Sequence, residues 1–62
     1  QYLQRVRVHH ASILLADTEM SIGMLALETG FYDQAHLTRT FRRWFEMTPS
    51  EFRKRSKSSV HE

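Results

Sequence analysis

The polar side chains best suited to bind another molecule lie between residues 34 and 43, where an amide, an imidazole and three guanidinium groups occur close together. On a helix with about 100° per residue, four positions fall near its amino end and on its outer face. They are Gln34, Ala35, His36 and Arg39. Guanidinium and amide groups form paired hydrogen bonds with planar partners, and guanidinium groups also bind anions. This face therefore predicts recognition of a partner.

Catalytic and metal chemistry finds no support in the rest of the sequence. His9 and His10 are adjacent, so their side chains diverge by about 100° on a helix and cannot share a metal ion. His36 and His61 have no companion ligand at metal-binding spacing, and the chain has no cysteine nucleophile. No serine has a recognisable base and orienting acid, and no glycine-rich loop is present to hold a nucleotide. We therefore expect a protein that is not an enzyme and needs no metal ion or cofactor.

A short helix, a tight turn and a longer helix are predicted to position the polar face. Ser21 can cap the short helix, predicted over 22–29, and Gly30 can adopt the left-handed backbone that ends it. Asp33 can cap the longer helix, predicted over 34–46, which we call the reading helix. The apolar stripe of the reading helix comprises Leu37, Phe41, Trp44 and Phe45. This layout predicts a helix-turn-helix unit, in which the second helix enters the major groove of DNA.

The helix-turn-helix layout gives each exposed side chain of the reading helix a distinct role. Arg39 can form a bidentate pair with guanine or bind a phosphate, and Gln34 can pair with adenine. Ala35 can pack on a thymine methyl group, and His36 can donate or accept one hydrogen bond. The alternative is that Gln34, His36 and Arg39 are ordinary solvated or ion-paired surface residues.

Phosphate contacts are expected from residues on the flank of the reading helix and from amides at helix starts, which bind anions. The predicted phosphate-binding positions are Ser21, Ile22, Thr40, Arg42, Arg43, Thr48 and Ser50. Arg53, Lys54 and Arg55 can add long-range attraction, although charge runs of this kind are usually only solvated.

The distribution of charge says more than its total. The net charge of +2 does not by itself indicate a nucleic-acid partner. Residues 1–31 hold two basic and three acidic side chains, whereas residues 32–62 hold seven basic and four acidic ones. The excess positive charge lies on and after the reading helix, where a phosphate backbone would need it. An ordinary solvated basic face is the alternative.

The length and composition indicate one small domain without disulfides. No apolar run approaches the roughly 18 residues of a membrane span, and Arg5 and Arg7 interrupt any apolar block at the start. We therefore expect a cytoplasmic protein that does not contact a membrane. Because the sequence starts within a predicted helix and without an initiator Met, we expect it to be a fragment of a longer protein.

Two further helices are predicted beside the helix-turn-helix unit. The helix over 1–16 has one apolar arc of Leu3, Val8, Ala11, Leu14 and Leu15. A second arc beside it comprises Tyr2, Val6 and Ile13. The second arc either contacts another domain or subunit, or is simply exposed near a frayed end. Thr48, Pro49 and Glu51 have the pattern of a capping box that starts the last helix.

The absence of strand signals predicts an all-α fold, a homeodomain-like helix-turn-helix bundle of about four helices. Residues 1–17 are predicted as a connecting helix and residues 18–55 as the helix-turn-helix unit with its C-terminal helix. Residues 56–62 have no apolar period and are predicted to fray.

These linked blocks resemble the AraC/XylS family of bacterial transcription activators. The matching pattern is Ala26-x-x-x-Gly30-Phe31, then Asp33-Gln34-x-x-Leu37-x-Arg39-x-Phe41, then Thr48-Pro49-Ser50-x-Phe52-Arg53. The likeness extends from about Tyr2 to Arg55. The resemblance implies a DNA-binding domain of two helix-turn-helix units joined by a long helix, here the connecting helix and the second unit. It also implies that the missing first unit packs on residues 1–16, and that bases are read from positions 34, 35, 36 and 39.

Two residues depart from the family pattern. Glu46 stands where the family usually has glycine, so the end of the reading helix is either continued or strained. Met24 stands where an acidic residue is common, so the capping box of the short helix is lost.

The resemblance implies sequence-specific binding of double-stranded DNA by part of an AraC-type regulator in the bacterial cytoplasm, associated with the nucleoid. Activation is the family tendency. The alternative is a helical protein-interaction module that contacts RNA polymerase, in particular its sigma subunit, or a partner subunit.

Overall fold

The computed structural model describes residues 2–58, with side chains described for residues 3–57. This part of the chain forms four helices: α1 (Tyr2–Asp17), α2 (Ile22–Glu28), α3 (Gln34–Phe45) and α4 (Pro49–Ser58). Residues 2–58 contain no strand, and the predicted all-α helix-turn-helix bundle is confirmed. None of these four helices is both long and apolar enough to cross a membrane.

The core is formed where α1, α2 and α3 meet around the turn between α2 and α3. Its buried side chains are Val8, Ala11, Leu15, Leu25, Ala26, Phe31, Leu37 and Phe41. The fourth helix joins this core through Phe52, whose ring meets those of Phe41 and Phe45 edge-on at centroid distances of 5.4 Å. Burial of apolar surface drives this assembly, since residues 2–58 contain neither a disulfide nor a metal cluster.

The inward arc predicted for α1 is only partly correct. Val8 is the first core residue of α1, and Leu3 is not among the side chains that pack against the core. Leu3 is therefore 56% exposed. Val6 and Ile13, from the second arc, are 46% and 44% exposed. The side chain of Tyr2, the third member of that arc, lies outside the described residues.

The α2–α3 turn forms as the sequence predicts. The Ser21 side chain accepts a hydrogen bond of 3.2 Å from the Met24 amide, which caps α2. Helix α2 ends at Glu28, one residue before the predicted end, and Gly30 then adopts a φ of +91°. The Phe31 amide donates to the Ala26 carbonyl at 2.9 Å, which returns the chain to the core.

The junction between α3 and α4 shows how the chain accommodates Glu46 at the position where the family pattern has glycine. Helix α3 ends at Phe45, and Glu46 takes left-handed backbone angles with a φ of 60°. Most residues with a side chain avoid this conformation, so the helix end is strained and the helix is not continued. Thr48 and Glu51 then form the predicted capping box, with reciprocal hydrogen bonds of 2.9 Å and 3.1 Å.

Helix α4 is longer than predicted. It extends through Ser58, so residues 56–58 do not belong to a frayed tail. The Lys57 ammonium contacts the Glu19 carboxylate at 2.7 Å, which ties this part of α4 to the α1–α2 connection. Residues 59–62, the rest of the predicted tail, lie outside the described residues.

Candidate nucleic-acid interface

The outer face of α3 is open along the described part of the chain. Gln34, Ala35 and Arg39 are exposed, as are Arg42 and Arg43 further along the same helix. The Asp33 carboxylate accepts a 2.8 Å hydrogen bond from the His36 amide, so it caps the amino end of α3 as predicted. The side chains predicted to read bases therefore start from a helix end whose position is well defined.

Gln34 lies at the boundary between α2 and α3. A methyl group placed on Gly23 of α2 would come within 3.4 Å of the Gln34 side-chain oxygen. The Gln34 side-chain oxygen therefore lies beside the start of α2, at ordinary contact distance from that position. This places a hydrogen-bonding group at the rim of the exposed face.

His36 is partly committed to holding the turn. Its Nδ1 atom accepts a 3.2 Å hydrogen bond from the Tyr32 amide. Its ring meets the ring of Phe31 edge-on, with a centroid distance of 5.3 Å. In the neutral imidazole an accepting Nδ1 leaves the proton on Nε2, so the ring has one donor left for a partner. Tyr32 itself is 84% exposed at the tip of the turn.

The flanking residues of α3 differ sharply in accessibility. Thr40 is only 6% exposed, which argues against the phosphate contact predicted for its hydroxyl. Arg39, Arg42 and Arg43 are exposed, and none of them forms an ion pair with another residue of the described chain. Three guanidinium groups on one helix thus leave a positive face available to an anionic partner.

The predicted anion sites at helix starts are already partly filled by the chain itself. The Ser21 hydroxyl caps α2 internally, and the Glu51 carboxylate occupies the start of α4. The Thr48 backbone amide lowers the pKa of Glu51, and Arg42 contributes a smaller electrostatic effect in the same direction. A phosphate at Thr48 or Ser50 would have to compete with this resident negative charge.

Arg53 has a structural task that sequence reasoning missed. Its Nε donates to the Leu15 carbonyl at 3.0 Å, and a terminal nitrogen donates to the Thr18 carbonyl at 3.1 Å. The guanidinium therefore satisfies carbonyls at the end of α1, and we no longer assign it to the solvated charge run predicted at 53–55. The other members of that run, Lys54 and Arg55, are exposed.

A cleft between α1 and α3 was also not predicted. It has a volume of about 310 Å³ and is lined by Gln4, His36, Arg39, Thr40 and Arg43. Gln4 carries no local signal for this role, because its position beside α3 depends on how α1 packs. The cleft extends the polar face of α3 onto the connecting helix.

The fold, with its exposed cationic face on α3, is that of a helix-turn-helix protein. Residues 1–55 match the family model described as a helix-turn-helix domain. The chain belongs to the AraC-type helix-turn-helix family of transcription regulators.

Several curated proteins are similar to the chain. It is 38% identical to the HTH-type transcriptional activator RhaR of Klebsiella pneumoniae, over 95% of the chain and 21% of that protein. It is 40% identical to the HTH-type transcriptional regulator GlxA of Rhizobium meliloti, over 89% of the chain and 17% of that protein. It is 38% identical to the melibiose operon regulatory protein of Escherichia coli K12, over 90% of the chain and 18% of that protein. The chain thus spans about a fifth of each relative, and no solved structure gives a significant match.

Proposed function

We propose that the chain is the second helix-turn-helix unit of a two-unit DNA-binding domain and that α3 enters the major groove of double-stranded DNA. The observation that supports this proposal is the open outer face of α3, where Gln34, Ala35 and Arg39 are exposed beside a capped helix end. In helix-turn-helix proteins the amino-terminal residues of the second helix contact base edges. No other described part of the chain covers these side chains.

The proposed readers are Gln34, Ala35 and Arg39. Arg39 would pair with guanine through both arms of its guanidinium, and Gln34 would pair with adenine. Ala35 would contact a thymine methyl group. We withdraw His36 from the base-reading set because its Nδ1 already accepts from the Tyr32 amide and the ring is half-buried.

The proposed phosphate contacts are led by Arg42 and Arg43, which are exposed and form no ion pair within residues 2–58. Ser21 and Ile22, at the start of α2, remain candidates for an amide contact with a phosphate. Thr48 and Ser50 are weaker candidates because the Glu51 carboxylate occupies that helix start. The buried Thr40 is removed from the set.

We propose further that the first helix-turn-helix unit covers the apolar face of α1. Leu3, Val6 and Ile13 leave apolar side chains on the outer side of α1, with exposures of 56%, 46% and 44%. A second unit packed on this face would remove it from water and stabilise both units. The complete regulator would act on DNA in the bacterial cytoplasm, and transcriptional activation is supported by the similarity to RhaR, which is named an activator.

The reading role is tested by substituting Arg39→Ala in the full-length protein. The cognate site is first obtained by selection from random duplexes, and affinity is then measured on that site and on random DNA. Loss of a bidentate pair should cost about 1–3 kcal/mol more on the cognate site than on random DNA. Arg55→Ala, an exposed arginine on α4, is the matched control and should not change the difference between the two DNAs. Equal losses for Arg39→Ala on both DNAs would remove its reading role.

A helical protein-interaction module is the second candidate, and the exposed apolar face of α1 favours it. RNA polymerase, through its sigma subunit, or a partner subunit would then dock on Leu3, Val6 and Ile13. The two functions differ in their dependence on salt. Binding through phosphates weakens steeply as salt rises, whereas apolar docking does not. A salt titration of binding to the selected duplex therefore separates them.

A further inference from the structure

The cleft between α1 and α3 brings together hydrogen-bond donors from two different helices. Gln4 lies on the α1 side, and His36, Thr40 and Arg43 line the α3 side, with Arg39 at the same cleft. No carboxylate lines this cleft within residues 2–58. The exposed and half-buried members of the set offer an amide, an imidazole N–H and guanidinium groups, a combination that fits an anion with several acceptor oxygens.

The charge in this cleft is not neutralised by the described chain. Neither Arg39 nor Arg43 forms an ion pair there. The one ion pair of residues 2–58 joins Lys57 to Glu19, and both lie away from these arginines in the sequence. Gln4 is half-buried, so part of its surface is already desolvated before a ligand arrives.

The turn prepares His36 to donate into this cleft. The Tyr32 amide donates a 3.2 Å hydrogen bond to Nδ1 of His36, so the neutral ring carries its proton on Nε2. The edge-on contact with Phe31 further restricts the orientation of the ring. With Nδ1 accepting from the Tyr32 amide, the imidazole of His36 keeps one N–H donor, on Nε2, beside the cleft.

From this geometry we infer that the cleft binds one phosphate of the DNA backbone, with Gln4 as a contact contributed by the connecting helix. His36 and Arg43 would supply the other donors, while Arg39 remains assigned to a base at the outer rim. The inference rests on the proposed function, since it requires α3 to lie in the groove. It adds to that function a direct contact between α1 and a DNA phosphate. This contact would couple the orientation of the connecting helix to the position of the DNA backbone.

The test uses the full-length protein and duplexes in which single phosphates of the selected site are replaced by neutral methylphosphonates. Wild-type protein should bind several of these duplexes less well than the unmodified site, and one of them carries the neutral group at the phosphate that the cleft binds. Gln4→Ala should lose about three- to tenfold in affinity on cognate and random DNA alike. On the duplex neutralised at that one phosphate, Gln4→Ala should bind as well as wild type. Because Gln4 is uncharged, the salt dependence of binding should stay unchanged.

Two controls separate this inference from a fault in folding or in the proposed function. His9→Ala alters another exposed side chain of α1, on the side of that helix that lies beside Trp44, and should change neither affinity nor the methylphosphonate pattern. Circular dichroism of Gln4→Ala should show wild-type helicity and melting. The inference is overturned if Gln4→Ala binds like wild type while Arg39→Ala still loses base preference. If Arg39→Ala also keeps its base preference, the proposed function has failed as well.

Inorganic phosphate provides the second arm of the test. The side-chain amide resonance of Gln4 is followed by NMR during titration with phosphate and, separately, with the duplex. Shifts with both ligands, together with the methylphosphonate effect, support a site for a backbone phosphate. A shift with free phosphate but no methylphosphonate effect at any position overturns the assignment to DNA.

Discussion

The Arg53 guanidinium donates hydrogen bonds to the Leu15 and Thr18 carbonyls, at 3.0 Å and 3.1 Å, across 38 and 35 residues of sequence. Helix ends leave carbonyls without intrahelical partners, and a cation near that end also complements the helix dipole. Arg53 therefore connects the last helix to the end of the first helix. The position of the reading helix depends on this connection, because α3 lies between the two in sequence and packs against both.

Arg53→Ala should destabilise the fold because two carbonyls at the end of α1 lose a charged donor. The expected loss is about 1–2 kcal/mol in the free energy of unfolding. Urea unfolding followed by circular dichroism measures it. Lys54→Ala is the matched control, since Lys54 is the exposed neighbour, and it should stay within about 0.5 kcal/mol of wild type. Comparable losses for the two variants would show that Arg53 does not act through these hydrogen bonds.

Gly30→Ala should destabilise the turn between α2 and α3. The backbone at Gly30 has a φ of +91°, and an added methyl group would lie 2.9 Å from Nε of Arg7. Backbone strain alone predicts a loss of about 1–3 kcal/mol in stability. Gly23→Ala is the matched control, because Gly23 is helical and the new methyl group would meet only the flexible end of Gln34 at 3.4 Å. That control should gain up to about 1 kcal/mol from helix propensity. Thermal melting of both variants should therefore move in opposite directions.

Glu46→Gly should stabilise the chain. Glu46 is the one non-glycine residue with positive φ among residues 2–58, at 60°. Glycine adopts this conformation without the steric cost of a β-carbon, so the expected gain is about 1 kcal/mol. Glu46→Ala removes the charge but keeps the β-carbon, and it should leave the strain in place. If alanine stabilised the chain as much as glycine, loss of the carboxylate would be the cause of the gain.

The capping box should make stability sensitive to acid. The Thr48 backbone amide lowers the pKa of Glu51 from its ordinary value of 4.5, so the stabilisation is present above that value and is lost as pH falls through the lower, folded value. The stability gap between wild type and Glu51→Gln should therefore be larger at pH 7 than at pH 3. Glu28→Gln, which removes an exposed carboxylate from α2, is the matched control for loss of charge. A Glu51→Gln gap of the same size at both pH values would argue against the linkage.

Arg43→Ala should weaken DNA binding without changing sequence preference. A lost phosphate contact lowers affinity on all sequences and reduces the slope of log affinity against log salt by about one. Titrations on the selected site and on random DNA between low and physiological salt measure both quantities. Arg43→Lys keeps the charge and should keep the slope. A loss confined to the selected site would instead assign Arg43 to a base.

The sequence by itself determined where the helices begin and how the central turn is made. The caps at Ser21, Asp33 and Thr48 each act within three residues, so residue types at short spacing were sufficient to predict them. The left-handed turn at Gly30 and the aromatic core around Phe41 follow from equally local patterns. The fold class and the exposed face of α3 could therefore be predicted from the order of the amino acids.

Only the tertiary structure decided which side chains of each helix contact a helix that is distant in sequence. Arg53 reaches α1 across 38 residues, and Gln4 meets α3 in one cleft across more than half of the chain. The burial of Thr40 and the exposure of Leu3 were likewise settled by how α1 packs on α3. Helical periodicity tells which residues share a face, but the angle and offset between two helices depend on the packing of all their side chains together.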